Sequence, residues 1–404
     1  MSRFFAEADM IRFNVKLCEA TEQEVWEWLN EMLYIAFIEA RKGKLNTVNQ
    51  QKFEEDRDIN LARLTDAVIG MYYRPGRGTA FVILEPVPRE IFAAPFADRI
   101  IHHFLVMTVE DFWDKRLSPR SSSCRKNKGT LYGVRKLNSD LRKSTMNWHR
   151  EAWVMKMDLL GYFMSLPREY LYSRVMWGLD KIYPEGGVIY EISRFLWKEV
   201  LYDDPTDGVR LKGAVSDWNI LPKQKSLFFQ PLGRGIVIGN LTSQWVSNMA
   251  LDTLDRYVYF DLECKYYGRY VDDFYLISEN KNDLLKMRDK ITEFLIDIGI
   301  EVHPKKFYLQ PASKGTPFLG VVSFPYRVVL NKRFAQNLWR LNMTIKEKGL
   351  GQEQLDSLMS YHGLALHHCH KKTFVRIFGK DIFKDIKKWQ EARSQVAAVK
   401  HSQR

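Results

Sequence analysis

Apolar residues recur at helical spacing early in the chain. Between Glu22 and Ala40, the residues Val25, Trp28, Leu29, Met32, Leu33, Ala36 and Phe37 share one face, which predicts a helix. The basic break Arg41-Lys42-Gly43-Lys44 follows, then a second predicted helix over 51–67. Residues 1–70 therefore read as a helical scaffold. At residue 71 the pattern changes. A turn rich in Gly and Arg (72–78) precedes a strand at 81–84 and another beginning at 87–91, which together predict a basic hairpin. Helices are predicted through 95–105 and 131–141. His102-His103 reads as a partly buried face of the first, since no third ligand stands at helical spacing.

A strand over 153–158 ends on the carboxylate of Asp158, and a helix is predicted from Pro167. Residues 180–234 hold the most turns and the least chemistry, and read as an insertion or long connection. The glycine-punctuated loop 235–244 runs into an apolar helix at 245–254. Then, between Tyr266 and Ser278, the adjacent acids Asp272 and Asp273 interrupt aromatic and β-branched residues. Ionised carboxylates in a strand register are costly unless something pairs with them. A hairpin with Val271-Asp272 at its tip would bring both to one exposed edge, where divalent cations would neutralise them. A surface turn is the plainer alternative. Residues 282–298 form an amphipathic helix and 316–322 a short hairpin. From Asn331, Phe334, Leu338, Leu341 and Ile345 share a helix face, with Lys332 and Arg333 off it.

Composition adds a partner class. The 404 residues are 46% hydrophobic and carry a net charge of +12 with pI near 9.3, so a sizeable core and a polyanionic partner are expected. No apolar run is long enough to span a membrane. The N-terminus has an acid pair and no apolar core of a secretory signal, so a cytoplasmic location is expected. Four scattered cysteines (Cys18, Cys124, Cys264, Cys369) read as free thiols. The polar loop 121–130, with Arg125, Lys126 and Lys128, suits phosphates at a helix start. Residues 371–404 hold ten Lys or Arg against three acids and suit nucleic acid. The run His367-His368-Cys369-His370 does not read as a zinc site, because adjacent helical residues point apart.

Phosphoryl transfer with two metals needs carboxylates brought together from separate elements, and Asp158 and Asp272 would supply them. Arg89 and Arg125 are candidates for the triphosphate. Phe163 is placed to lie under the sugar, and Gly239 to allow close backbone approach. In chain order these pieces resemble the motifs of reverse transcriptases. Asp158 through Tyr162-Phe163 matches the first catalytic motif. Ile238-Gly239-Asn240-Leu241-Thr242-Ser243-Gln244 with Asn248 matches the second, and Tyr270-Val271-Asp272-Asp273 the third. His303-Pro304-Lys305-Lys306 and Phe318-Leu319-Gly320 match the lysine motif and primer-grip hairpin that follow. Pro88-Arg89-Glu90-Ile91 and Asp98-Arg99-Ile100 match the fingers. Ile238 and Gln244, where retroviral and group II intron enzymes usually have Gln and Pro, resemble enzymes of diversity-generating retroelements and of anti-phage defence. Val87 and Val237 depart from the retroelement pattern of Lys and Pro.

The resemblance implies an α+β right-hand polymerase: a helical region 1–70, fingers and palm over 71–330, and a helical thumb with basic tail over 331–404. It implies RNA-directed DNA synthesis with Mg2+ or Mn2+. Asp158, Asp272, Asp273 and Lys306 would be catalytic, with Leu159 joining the three acids as metal-binding. Arg89, Arg125, Phe163, Gly239 and Gln244 would bind nucleotide. Arg77, Lys126, Lys128, Phe318, Leu319, Gly320, Lys332 and Arg333 would bind nucleic acid. The implied partners are a dedicated template RNA, dNTPs, the cDNA product, and an accessory protein or second reverse transcriptase, with no membrane. The competing class is a catalytically idle, polymerase-like nucleic-acid-binding protein.

Overall fold

The computed structural model describes residues 20–42, 47–84, 87–367, 371–388 and 391. The N-terminal segment with Cys18, the His368-Cys369-His370 run and the tail after residue 391 lie outside the described residues. The chain forms two compact units. One comprises Met1–Asn127, Lys156–Tyr275 and Leu285–Phe307, the other Lys128–Met155, Leu276–Leu284 and Tyr308–Arg404.

In the first unit, α1 (Glu22–Arg41) begins with a capping box, in which Thr21 Oγ1 accepts from the Glu24 amide and the Glu24 carboxylate accepts from the Thr21 amide. Its buried stripe, Trp28 to Ala40, includes Phe37, whose ring meets Phe96 edge-on at 5.9 Å. The second predicted helix is two, α2 (Val48–Glu55) and α3 (Arg57–Ile69), divided at Asp56, whose backbone leaves the helical region. The predicted basic hairpin forms from β1 (Thr79–Ile83) and β2 (Arg89–Ala93), paired antiparallel with Phe81 opposite Ile91. It is followed by α4 (Phe96–Met107), whose Ile100, Ile101, Phe104 and Leu105 are fully buried, and by α5 (Glu110–Arg116). His102 is a core histidine. Burial holds its pKa down at about 3, and a ring nitrogen shares a 3.0 Å hydrogen bond with Thr242.

α6 (Thr130–Ser144) belongs to the second unit, and β3 (Trp153–Leu159) carries Asp158. A short turn of helix, α7 (Tyr162–Ser165), precedes α8 (Arg168–Ile182). The expectation of a turn-rich connection over 180–234 fails in its first third. There α9 (Val188–Tyr202) buries Ile189, Ile192, Leu196, Trp197 and Leu201 at helical spacing. Beyond it β4 (Arg210–Leu211) adds to β1, giving the sheet order β2-β1-β4. The rest of the connection is anchored by one buried carboxylate. Glu90 accepts from Trp218 Nε1 at 2.8 Å, Ser226 Oγ at 2.7 Å and the Leu227 amide at 2.7 Å. Glu90→Ala strands all three donors. A loss on the order of 3 kcal/mol in denaturant unfolding is expected, with earlier proteolysis between Lys212 and Lys225.

α10 (Leu241–Arg256) is buried on nearly every side and ends in a π-helical turn, Tyr257–Asp261. β5 (Tyr266–Tyr270) and β6 (Asp273–Ser278) form the central hairpin. α11 (Lys281–Asp297) and β7 (Val302–Pro311) follow, and the four-stranded sheet runs β5-β6-β3-β7. The second unit holds the sheet β10-β9-β8, from β8 (Thr316–Phe318), β9 (Val321–Phe324) and β10 (Arg327–Leu330). It also holds α12 (Lys332–Lys348), α13 (Gln352–His367) and α14 (Lys371–Phe378), which enclose Leu338, Leu358 and Phe374.

Candidate active site

The hairpin forms as its sequence predicts, with Val271 and Asp272 between the strands. Gly268 is required there, because a Cβ would lie 2.5 Å from the Tyr275 hydroxyl. Val271 sits in the left-handed region at φ 56°, an uncommon state for a β-branched residue. Its peptide is held on both sides. The amide donates to Ser123 Oγ at 3.0 Å, and the carbonyl accepts from Arg269 at 2.9 Å. Arg269, fully buried, also donates to Asn248 Oδ1 at 3.3 Å. It forms a bidentate pair with buried Asp255, both contacts at 2.7 Å. Asn248 and Ser123 bond each other, and Tyr267 donates to Asp255. Of this network sequence reasoning singled out only Asn248. For the rest the local signal is weak, since Asp255 stands between Asp252 and Arg256, and Arg269 lies among tyrosines close to Asp272.

Three carboxylates meet two lysines at the strand ends. Lys306 on β7 bonds Asp158 on β3, and Lys156 on β3 pairs with Asp273 at 3.0 Å. Lys156 was not foreseen. Burial, and then the charges of Asp158 and Asp273, push Asp272 up to about 6, although Lys306 opposes the shift. Asp273 is also raised, mainly by burial. Among the described residues no three acids, histidines or cysteines are drawn together as a preformed metal cluster. The donor set nonetheless fits a divalent cation. It is all oxygen, it is under mutual repulsion, and two ammonium groups already sit on its outer carboxylates. Leu159 ends β3 beside Asp158, with its side chain buried.

Phe163 lies in α7, and the loop before α10 is stitched to it. The Ile236 amide donates to the Phe163 carbonyl at 2.8 Å, and the Phe92 amide donates to Ile238 at 3.2 Å. Gly239, at φ 130°, leaves no room for a side chain, since a Cβ would stand 2.9 Å from the Phe92 carbonyl. Gln244 is exposed in the first turn of α10, where Thr242, Ser243 and Trp245 are buried. The loop is thus fixed to both the β1–β2 hairpin and the Phe163 turn. Arg89 is exposed at the start of β2.

Other candidate residues already have partners within the protein, Arg125 among them. Its guanidinium is buried and donates to Asp114 and to the Ser118 and Ser121 carbonyls, closing its own loop. Lys126 pairs with Glu110 and Asp111, and Arg77 with Asp203 and Asp207. Ser121, Ser122 and Ser123 are buried instead of forming a phosphate loop. Ser122 donates twice to the Arg269 carbonyl, because the hairpin edge needs partners. In the second unit, Lys128 lies 5.4 Å from the Tyr132 ring, and Phe318 is buried rather than presented. Leu319 and Gly320 form the turn after β8, and Lys332 and Arg333 are exposed at the start of α12.

The family model described as reverse transcriptase (RNA-dependent DNA polymerase) matches residues 88–323, more than half of the chain and all of the acids above. The chain belongs to the reverse transcriptase family. The α+β right-hand polymerase fold follows from that membership, and reverse transcriptase domains generally use divalent metal ions. No curated protein matches the sequence. Among solved structures the chain is similar to telomerase from Candida albicans in complex with a TWJ fragment of telomeric RNA. The TM-score is 0.43 at 12% identity, covering 76% of this chain and 56% of that one. It is also similar to apo telomerase from Candida tropicalis, with TM-score 0.45, 16% identity, and coverage of 78% and 59%. The chain spans under two thirds of the length of the telomerases it matches. No described helix is long and apolar enough to cross a membrane.

Proposed function

We propose that this reverse transcriptase extends a DNA strand on an RNA template, with Asp158 and Asp272 holding divalent cations, Mg2+ or Mn2+. The observation that carries the reading is that Asp158, Asp272 and Asp273, from two strands and a turn inside residues 88–323, stand near enough for the charges of Asp158 and Asp273 to raise the pKa of Asp272. A bound cation pair would supply activation of the 3′-hydroxyl and neutralisation of the leaving pyrophosphate. Asp158 and Asp272 would hold it, with Leu159, next to Asp158 at the end of β3, contributing and Asp273 assisting. Lys306 stands at Asp158 and would donate a proton to pyrophosphate. Arg89 and Gln244 face the nucleotide. The domain reading is fingers over 71–150 and 162–235, palm around Asp158 and Asp272, and thumb from 331. Lys332 and Arg333, with the Leu319-Gly320 turn, contact the duplex.

Phe163, on its short helix, is the steric gate against a 2′-hydroxyl. Phe163→Ala is expected to raise ribonucleotide use at least tenfold relative to dNTP use in primer extension; an unchanged ratio removes the assignment. The central reading is tested by extension of oligo(dT) on poly(rA) with dTTP and Mg2+. Extension supports it. If neither this template nor co-purified RNA supports incorporation, the catalytically idle reading takes its place.

The finer role follows the second motif. Ile238 and Gln244 favour a retroelement or anti-phage enzyme that copies one dedicated RNA with an accessory protein or second reverse transcriptase. Sequencing the nucleic acid that co-purifies tests this role. A single enriched RNA species supports it, and a random mixture contradicts it.

A further inference from the structure

A second charged cluster stands apart from the acids of the active site. Asp252 on α10 is fully buried, and three guanidiniums converge on its Oδ2: Arg256 at 3.2 Å, Arg116 at 3.3 Å and Arg174 at 3.4 Å. Its Oδ1 has no hydrogen-bond partner, nor has the Nε of Arg116. One carboxylate therefore faces three cations. The termini of α5 and α10 explain why Arg116 and Arg256 suit their helix ends. They do not explain why the arginines are driven together. Arg116 feels that crowding, since burial and then the charges of Arg256 and Arg174 push its pKa down against the pull of Asp252.

The cluster is built rather than loose. Arg116 stacks over Trp177 at 4.2 Å and Arg174 lies 5.1 Å from the same ring, so the guanidinium planes are fixed. It is also open. The side chains of Arg116 and Arg256 are 27% and 37% exposed. Arg256 leads directly into the π-helical turn, which presents Tyr259 and Phe260, the latter 65% exposed. Arg120, four residues after Arg116, sits 4.6 Å over the Tyr259 ring. Surplus positive charge beside solvent-facing aromatics matches the phosphates and bases of a single strand. An acidic protein segment would match the arginines but gives no reason for the outward rings.

We propose that the Arg116–Arg174–Arg256 cluster with Tyr259 and Phe260 is an RNA-binding site separate from the catalytic carboxylates, taking phosphodiesters on the guanidiniums and bases on the rings. That the polyanion is RNA rests on the reading of the chain as an RNA-copying enzyme; the charge and ring geometry do not.

The test is anisotropy of a labelled RNA single strand of about 40 nucleotides against the full chain, without dNTPs, over a salt series. Arg116→Gln with Arg256→Gln is expected to weaken binding about tenfold and to reduce the salt slope by about 1.4. Phe260→Ser, which leaves the ion cluster intact, is expected to weaken it about fivefold. Extension of a short primer–template should be unchanged in both. Unchanged RNA affinity and salt slope in correctly folded variants overturn the site, and so does a loss shown by the arginine pair but absent in Phe260→Ser. A wild-type chain that polymerises nothing yet shows these losses keeps this site while ending the polymerase reading.

Discussion

Asp272→Asn is expected to keep the fold and abolish incorporation. Asp272 is half-buried beside Asp158 and Asp273, and loss of solvent and repulsion lift its carboxyl to about 6. A folded pKa above the unfolded value means the neutral form is favoured in the folded chain. Its contribution is present below about pH 4 and is lost as pH rises through about 6. At neutral pH without a cation the ionised carboxylate is therefore a burden on the fold. The neutral amide removes it, so the variant should unfold on the order of 1–3 kcal/mol later than wild type in metal-free buffer. The same change removes a ligand oxygen, and incorporation should fall about a thousandfold or more. Calorimetry and primer extension on one preparation read both. A variant that is less stable and still active would show that Asp272 is only a turn residue.

The second large effect concerns a pair outside the reacting groups. Asp255→Asn leaves Arg269 buried with its partner's charge gone. A loss of about 3–5 kcal/mol is expected in denaturant unfolding. Incorporation should also fall at temperatures where the variant stays folded, because Arg269 holds the carbonyl of Val271 next to Asp272. Replacing both, Asp255→Leu with Arg269→Met, should recover much of the stability and little of the activity. Recovery of both would mean that the pair serves packing alone.

The candidate carboxylates stood out in the sequence because their signal is local. Acids at strand ends inside aromatic and β-branched runs have few structural reasons to be there. The helices α1, α4 and α12 were legible from the 3.6-residue spacing of apolar positions, and α9 carried the same spacing within a segment that reads as turns. The partners of several basic residues were not legible. A lysine or arginine in a loop looks the same whether it meets a phosphate or an acid. Arg125 is closed by Asp114, 11 residues away, and Arg77 by Asp207, 130 residues away. Glu90 at a strand start reads as solvent-facing, yet it holds the connection from a distance of more than a hundred residues. The Asp255–Arg269 pair gave little local signal, since Asp255 stands among the charges of Asp252 and Arg256, and its grip on Val271 depends on the turn itself.

The central claim is that Asp158 and Asp272 drive RNA-templated DNA synthesis through a bound cation. It is tested most directly by the Mg2+ dependence of incorporation between pH 5 and 8. Asp272 must shed its proton before it can serve as a ligand. The Mg2+ needed for half-maximal rate should therefore stay level above about pH 6 and climb about tenfold per pH unit below it. The rate at saturating Mg2+ should return towards its neutral value. Incorporation that needs no divalent cation, or a Mg2+ requirement flat across this range, would contradict the assignment.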